Sequence, residues 1–236
     1  HLAAQAGVRY SIENPFQYQK SNLEGFTNIL EMARKFKVKN FVFASSSSVY
    51  GGNKKVPFSV EDDINRPVSF YAATKVANEA MAYSYHHLYD IPMVGLRFFT
   101  VYGPWGRPDM AYFKFTERIV NGESIDVYNH GDMKRDFTYV DDIVDGVLSA
   151  LNKKFKFEIF NLGNNQPVKL LEFINILESK LGKKAKKNML PMQPGDMKET
   201  FADISKSEMM LGFKPKTGIE YGLDNFIKWY RKYFKI

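Results

Sequence analysis

Tyr71 and Lys75 stand four positions apart at the head of an alanine-rich stretch, and a serine run, Ser45 to Ser48, lies upstream of them. On a helix this spacing puts both side chains on one face, one turn apart. A phenol titrates near 10 and is a poor base at neutral pH, but a neighbouring ammonium and a cationic ring favour its phenolate. Lys75 can supply that ammonium. A serine hydroxyl opposite the phenol can hold a substrate oxygen and relay or orient its proton. The chemistry these residues suit is proton abstraction from an alcohol. A lone Tyr-x-x-x-Lys pair equally describes a surface tyrosine and a surface lysine. The position of the serines is what gives it weight.

That position follows from the flanking elements. Asn40-Phe41-Val42-Phe43-Ala44 is a short apolar run that gives way to the serines and then to Val49-Tyr50-Gly51-Gly52, a buried strand entering a polar turn. The C-terminal ends of such strands are where open α/β sheets bind ligands. Tyr71 to Tyr89 contains neither Gly nor Pro and predicts a long helix, closed by Pro92. Met93 to Phe99 predicts a second buried strand that empties into the loop Thr100 to Met110. Upstream, Leu23, Phe26, Ile29, Leu30, Ala33 and Phe36 recur at near-helical spacing. They predict a helix over 22–36 with Asn22 at its N-cap.

Continuous apolar strands alternating with helices imply a parallel sheet covered by helices. The expected fold class is α/β, a Rossmann-like doubly wound parallel sheet whose N-terminal part is missing, with a smaller mixed α/β part beyond it. In that second part the pattern predicts helices near 112–121, 141–151, 169–181 and 219–234, and short strands near 124–128 and 158–161. The expected division is 1–110, which carries this sheet, and 111–236, the mixed part, with segments returning to the sheet.

Composition narrows the function classes. With no cysteine, disulfides, thiolate metal sites and cysteine nucleophiles are excluded, and a reducing, cytoplasmic setting is expected. No stretch approaches the roughly 18 consecutive apolar residues of a membrane span. The net charge of +7 admits a nucleic-acid partner. Its densest run, Lys180, Lys183, Lys184, Lys186 and Lys187, straddles Gly182 and reads as a solvated helix end. No nucleic acid is therefore expected. Adjacent His86 and His87 diverge by about 100° on a helix and are not expected to share a metal ion.

Five motifs occur together in order: His1-Leu2-Ala3-Ala4-Gln5-Ala6-Gly7-Val8-Arg9, Asn22 in Ser-Asn-Leu-Glu-Gly, the Ser-Ser-Ser-Val-Tyr-Gly turn, Tyr71-x-x-x-Lys75, and Arg135-Asp136-Phe137-Thr138-Tyr139-Val140-Asp141-Asp142. In this the chain resembles the extended short-chain dehydrogenase/reductase family over essentially its whole length. The resemblance implies NAD as cofactor, near Ala3, Ala4, Asn22, Ala44, Ser45, Tyr71, Lys75 and Phe98, with Lys75 on the nicotinamide ribose. It implies Ser46 or Ser48 as the partner of Tyr71, Arg135 on the phosphates of a UDP-sugar and Asp196 on its uridine ribose. It also implies a homodimer through the helices near 22–36 and 71–89, the second of which carries apolar Met81 and Leu88. Local readings compete: Asn22 as a helix cap, Arg135 paired with Asp136, Asp196 as a turn residue.

The glycine-rich turn that receives the dinucleotide pyrophosphate is not found. Gly103-Pro104-Trp105-Gly106 has two glycines and no third, and roughly 80 upstream residues are expected to be missing, leaving this chain alone inactive. Within the family the reaction is set at the serine turn. Dehydratases and decarboxylases place acidic residues where this chain has Ser47 and Ser48, so epimerisation at C4 through a 4-keto sugar is expected. The loop from Arg97 to Ala111 resembles that of UDP-glucuronate 4-epimerases, with Thr100 and Arg107 as candidates for the sugar carboxylate. Other UDP-hexose epimerases, dehydratases or decarboxylases, a non-catalytic truncated chain and a basic nucleic-acid-binding module are the alternatives.

Overall fold

The computed structural model describes residues 1–193 and 197–236. In chain order the first elements are α1 (Tyr10–Glu13), α2 (Pro15–Tyr18), a π-helical segment (Gln19–Glu24), α3 (Gly25–Lys35), β1 (Phe41–Ser46), a 3-10 turn (Ser47–Tyr50), α4 (Phe70–Tyr89) and β2 (Met93–Phe98). Then follow β3 (Thr100–Tyr102), α5 (Ala111–Asn121), β4 (Ser124–Val127), β5 (Lys134–Tyr139), α6 (Val140–Asn152), β6 (Phe157–Leu162) and β7 (Pro167–Lys169). The last are α7 (Leu170–Leu181), β8 (Lys186–Met189), β9 (Glu199–Thr200), α8 (Ser205–Leu211) and α9 (Ile219–Phe234). Among the described residues no helix is long and apolar enough to cross a membrane.

The chain divides into two units. The first comprises His1–Phe99, Asp145–Leu162 and Ala202–Phe213. Its sheet has the order β1-β2-β6, all parallel, as the buried apolar runs predict. Phe43, Gly95 and Ile159 share one level, and a Cβ on Gly95 would lie 2.5 Å from Ile159 Cδ1 and 2.8 Å from Phe43 Cζ. The middle strand gives up its side chain there so that its neighbours can fill the space. Phe26, Leu30 and Ala33 of α3, Phe41 and Phe43 of β1, Ala82 of α4 and Met93 of β2 form one buried cluster. His1 lies along the free edge of β1: its nitrogen donates to Val42 O and its carbonyl accepts from Ala44 N.

Two expected helix boundaries move. Ser69 caps α4, its hydroxyl accepting from Ala72 N at 3.1 Å. The last residue of α4 is Tyr89, as expected, and Asp90, two residues before Pro92, closes it by turning left-handed (φ 53) with its N–H on His86 O. Asn22 does not cap a helix. It sits inside the π-helical segment, in a helical run that begins at Pro15, and its side chain bonds away from its own helix.

The second unit comprises Thr100–Val144, Gly163–Phe201 and Lys214–Ile236. Strand β5 pairs in parallel with β3 and β9 and antiparallel with β7, and β4 pairs with β8. Its core is aromatic: Phe137 stacks on Phe173 at 4.4 Å and Tyr112 meets Phe226 edge-on at 4.9 Å. The basic run is corrected here. Gly182 ends α7 in a left-handed cap, but Lys186 and Lys187 belong to β8, and Lys184 and Lys187 both pair with the buried Glu178 carboxylate. Burial works against that charge, yet the two ammonium groups and the Ala185 N–H outweigh it and pull the carboxyl down to about 2.

Candidate active site

In the first unit the expected catalytic residues gather where β1 ends. The 3-10 turn packs against α4, which presents Tyr71 in its first turn and Lys75 one turn on. Lys75 is buried, and its ammonium donates to Ala44 O at 2.8 Å, tying the helix to the strand. Burial pulls this ammonium down to about 8, with the Glu79 carboxylate opposing the shift. Ser46 Oγ accepts from Ser48 N and donates to Ser48 Oγ, both at 3.2 Å, so these two hydroxyls form one small group at the strand end. Ser45 differs. Its side chain points into the interior, and its hydroxyl donates to Glu79 Oε1 at 2.5 Å. Alternation along a strand separates Ser45 from Ser46 in a way that the serine run itself conceals.

The opening segment is held by residues that spacing could not reveal. Asn22 accepts from Gln5 N at 2.8 Å through Oδ1, and its Nδ2 donates to Gln5 O and to Thr74 Oγ1, each at 3.0 Å. These bonds are its contribution: it fixes the segment that carries exposed Ala3 and Ala4 and links it to α4 one turn after Tyr71. Thr74 passes the link on, donating to Tyr71 O at 2.8 Å. Tyr18, wholly buried, donates from its hydroxyl to Ala6 O and Gly7 O, and its ring meets that of Tyr71 edge-on at 6.0 Å. A helix broken by Pro15 and followed by π-helical turns gives no regular period from which Tyr18 could be picked out.

In the second unit, Thr100 opens β3 opposite Phe137 and is half-buried. Arg107 is exposed, its Nε 3.3 Å from Asp109 Oδ1 and its Nη2 3.2 Å from Met110 Sδ. Arg135 lies on β5, with Nη1 donating to Lys134 O at 2.8 Å. Asp136 is buried and accepts from Asn164 N and Asn165 N, which anchors the turn after β6. Asp196 lies outside the described residues.

A family model described as "NAD dependent epimerase/dehydratase family" matches residues 1–163. The chain belongs to this family. It is 61% identical over 230 residues to an uncharacterized protein of Methanocaldococcus jannaschii, a match covering 98% of this chain and 71% of that one. It is 50% identical over 252 residues to UDP-glucuronate 4-epimerase 4 of Arabidopsis thaliana, covering 99% of this chain and 58% of that one. Its fold is similar to that of the UDP-glucuronic acid 4-epimerase from Bacillus cereus in complex with UDP-glucuronic acid and NAD. There the TM-score is 0.90 at 35% identity, over 98% of this chain and 74% of that one.

The donor set suits the nicotinamide end of NAD. Among the described residues the Lys75 ammonium has one hydrogen-bond acceptor, Ala44 O, so N–H donors remain for ribose hydroxyls. Ala3 and Ala4 carry only methyl groups on exposed backbone.

Proposed function

We propose that this protein interconverts the C4 epimers of a UDP-sugar, and that UDP-glucuronate is its substrate. The observation that carries the reading is a buried lysine, bonded to the end of β1 and one helical turn from Tyr71, in a chain of this family. Bound NAD, its ribose held by Lys75, would supply reversible hydride chemistry at C4 as a resident cofactor with no net change of redox state. Tyr71, as the phenolate that the nearby charge of Lys75 favours, takes the proton of the 4-hydroxyl and becomes the neutral phenol. Ser46 and Ser48 hold the oxygen at C4. Ser47 and Ser48 supply no carboxylic acid or carboxylate for eliminating water or assisting decarboxylation, which favours simple epimerisation.

Thr100 and Arg107 are proposed to meet the uronate carboxylate, and Arg135 the diphosphate. Arg107 is engaged in an exposed ion pair with Asp109 and a contact with Met110 Sδ, and the exposed pair costs little to exchange for a ligand. Incubation of UDP-glucuronate with the protein extended to the length of its relatives and supplied with NAD, followed by chromatography, should yield UDP-galacturonate to a fixed ratio without accumulation of NADH absorbance. Arg107→Ala should lower kcat/KM for UDP-glucuronate about tenfold, or ~1.4 kcal/mol, and that for UDP-galactose by less than about twofold. Equal losses on the two sugars, or a protein that prefers the neutral one, would leave a UDP-hexose epimerase without the uronate assignment.

We also infer a homodimer through the outer faces of α3 and α4. Met32 and Phe36 near the end of α3 and Tyr83, Leu88 and Tyr89 on α4 are exposed, whereas Met81 packs on the α3 cluster. Sedimentation equilibrium at micromolar concentration should return twice the chain mass, and Leu88→Glu should shift it toward the monomer. A monomer in the parent protein would remove this inference.

A further inference from the structure

The largest buried polar group of the first unit lies behind Tyr71 and Lys75. Glu79, one turn beyond Lys75 on α4, receives three hydrogen bonds: Ser45 Oγ and Arg97 Nε on Oε1, at 2.5 and 2.9 Å, and Arg97 Nη2 on Oε2 at 2.8 Å. Arg97 rises from near the C-terminal end of apolar β2, level with Ser45 on β1, and both charged groups are almost wholly buried. Its Nη1 donates to Tyr50 OH at 3.0 Å, and that hydroxyl donates to Asn161 Oδ1 on β6 at 2.6 Å. One carboxylate and one guanidinium thus join α4 to all three strands of the parallel sheet.

The places where this network is attached matter more than its size. Ser45 immediately precedes Ser46, and Tyr50 closes the turn that contains Ser48. The network therefore grips the serine turn at both ends. Ala44, which accepts from Lys75, is the residue before Ser45. We propose that the Glu79–Arg97 pair is a positioning element for the reaction, setting the Ser46–Ser48 turn against α4, with the Glu79 carboxylate offsetting the buried Arg97 charge behind Lys75 and Tyr71. Stability is a weak reason for such a pair. Desolvating two charges costs about what their attraction returns, and apolar side chains of similar volume often replace buried pairs without loss of stability. The pair's partners instead flank the proposed catalytic groups on both sides. The inference rests on the epimerase reading for its effect on turnover, but not for its effect on Lys75.

Two variants and two readouts test it. The Lys75 ammonium donates to Ala44 O of β1, and the charged group acting on it is Glu79, one turn along its own helix and itself paired with Arg97 of β2. Glu79→Gln removes the one negative charge and leaves Arg97 in place, so Lys75 should lose its proton at lower pH. In protein labelled with ¹³C-lysine, the Lys75 ε-carbon resonance, assigned by its absence in Lys75→Met, should titrate about one pH unit lower in Glu79→Gln than in the parent. Glu79→Met/Arg97→Met removes both charges, and it should fold with a melting temperature close to the parent's and leave the Lys75 midpoint little changed. Its kcat should nevertheless fall about tenfold, with KM for the UDP-sugar changed by less than about twofold, because Ser45 and Tyr50 have lost their anchors.

An unmoved Lys75 midpoint in Glu79→Gln, or parental kcat in a folded double variant, would overturn the proposal. Failure of both variants to fold would assign the pair to stability and overturn it equally. If the parent turns over no UDP-sugar, the functional reading fails, while the lysine titration still decides whether the Glu79 carboxylate offsets the Arg97 charge behind Lys75.

Discussion

Tyr71→Phe should lower kcat by about 10²-fold or more while leaving the affinity for UDP within about twofold of the parent. The substitution removes one oxygen and keeps the ring. The edge-on contact with Tyr18 and the helix that begins at Ser69 do not depend on that oxygen. The loss therefore isolates the proton acceptor, which has no substitute one turn away, since Lys75 is protonated at neutral pH and tied to Ala44 O. Steady-state kinetics on UDP-glucuronate and calorimetric titration with UDP separate the two effects. Near-parental turnover in a well-folded Tyr71→Phe protein would remove Tyr71 from the role of base.

The second large effect concerns the second unit's core. Gly222, in the first turns of α9, faces Tyr102, and a Cβ at that position would stand 2.1 Å from the tyrosine hydroxyl and 2.7 Å from two ring carbons. Tyr102 has little room to withdraw. It is 1% exposed, and Tyr112, Phe137 and Tyr139 all meet its ring edge-on, at 6.3, 6.2 and 5.6 Å. Overpacking of this kind costs about 1–3 kcal/mol, whereas alanine gains at most ~1 kcal/mol over glycine in helix propensity. Gly222→Ala should therefore lose about 2 kcal/mol in urea unfolding, and a second substitution, Tyr102→Phe, should recover part of the loss by removing the nearest atom. An unchanged midpoint for Gly222→Ala would show that the helix can shift to admit a methyl group.

What could be read in the chain alone follows from where apolar periodicity survives. β1, the serine turn, α4 and β2 were legible because short continuous apolar runs bounded by turn residues mark buried strands and a long alanine-rich stretch without Gly or Pro marks a helix. β5 and β8 were not. The first reads Lys-Arg-Asp-Phe-Thr-Tyr, half charged, and the second is exposed along its length and exists through its pairing with β4. Within the candidate site, the Tyr71/Lys75 spacing survives as helical geometry, but the run of four serines hides that one turns inward to Glu79 while two others bond to each other. Arg97 was visible as a lone charge in an apolar strand, a signal that asks for a buried partner. Only the fold shows that the partner is Glu79, two turns along from Tyr71.

The π-helical segment between α2 and α3 has a consequence for chain length. A π turn holds more residues than an α turn, so a stretch built this way carries a residue that an α-helix of the same length would omit. Removing one residue, Lys20 for example, would let the flanking helices close into a single regular α-helix with its backbone bonds intact. Tyr18 and Asn22 lie on opposite sides of that residue, and both bond to the segment Gln5–Gly7, so the deletion would bring two anchors of one loop from four positions apart to three and re-aim one against the other. The surplus residue is thus dispensable to the helix and indispensable to the grip on the loop, and the spacing between these two positions tolerates substitution far better than deletion.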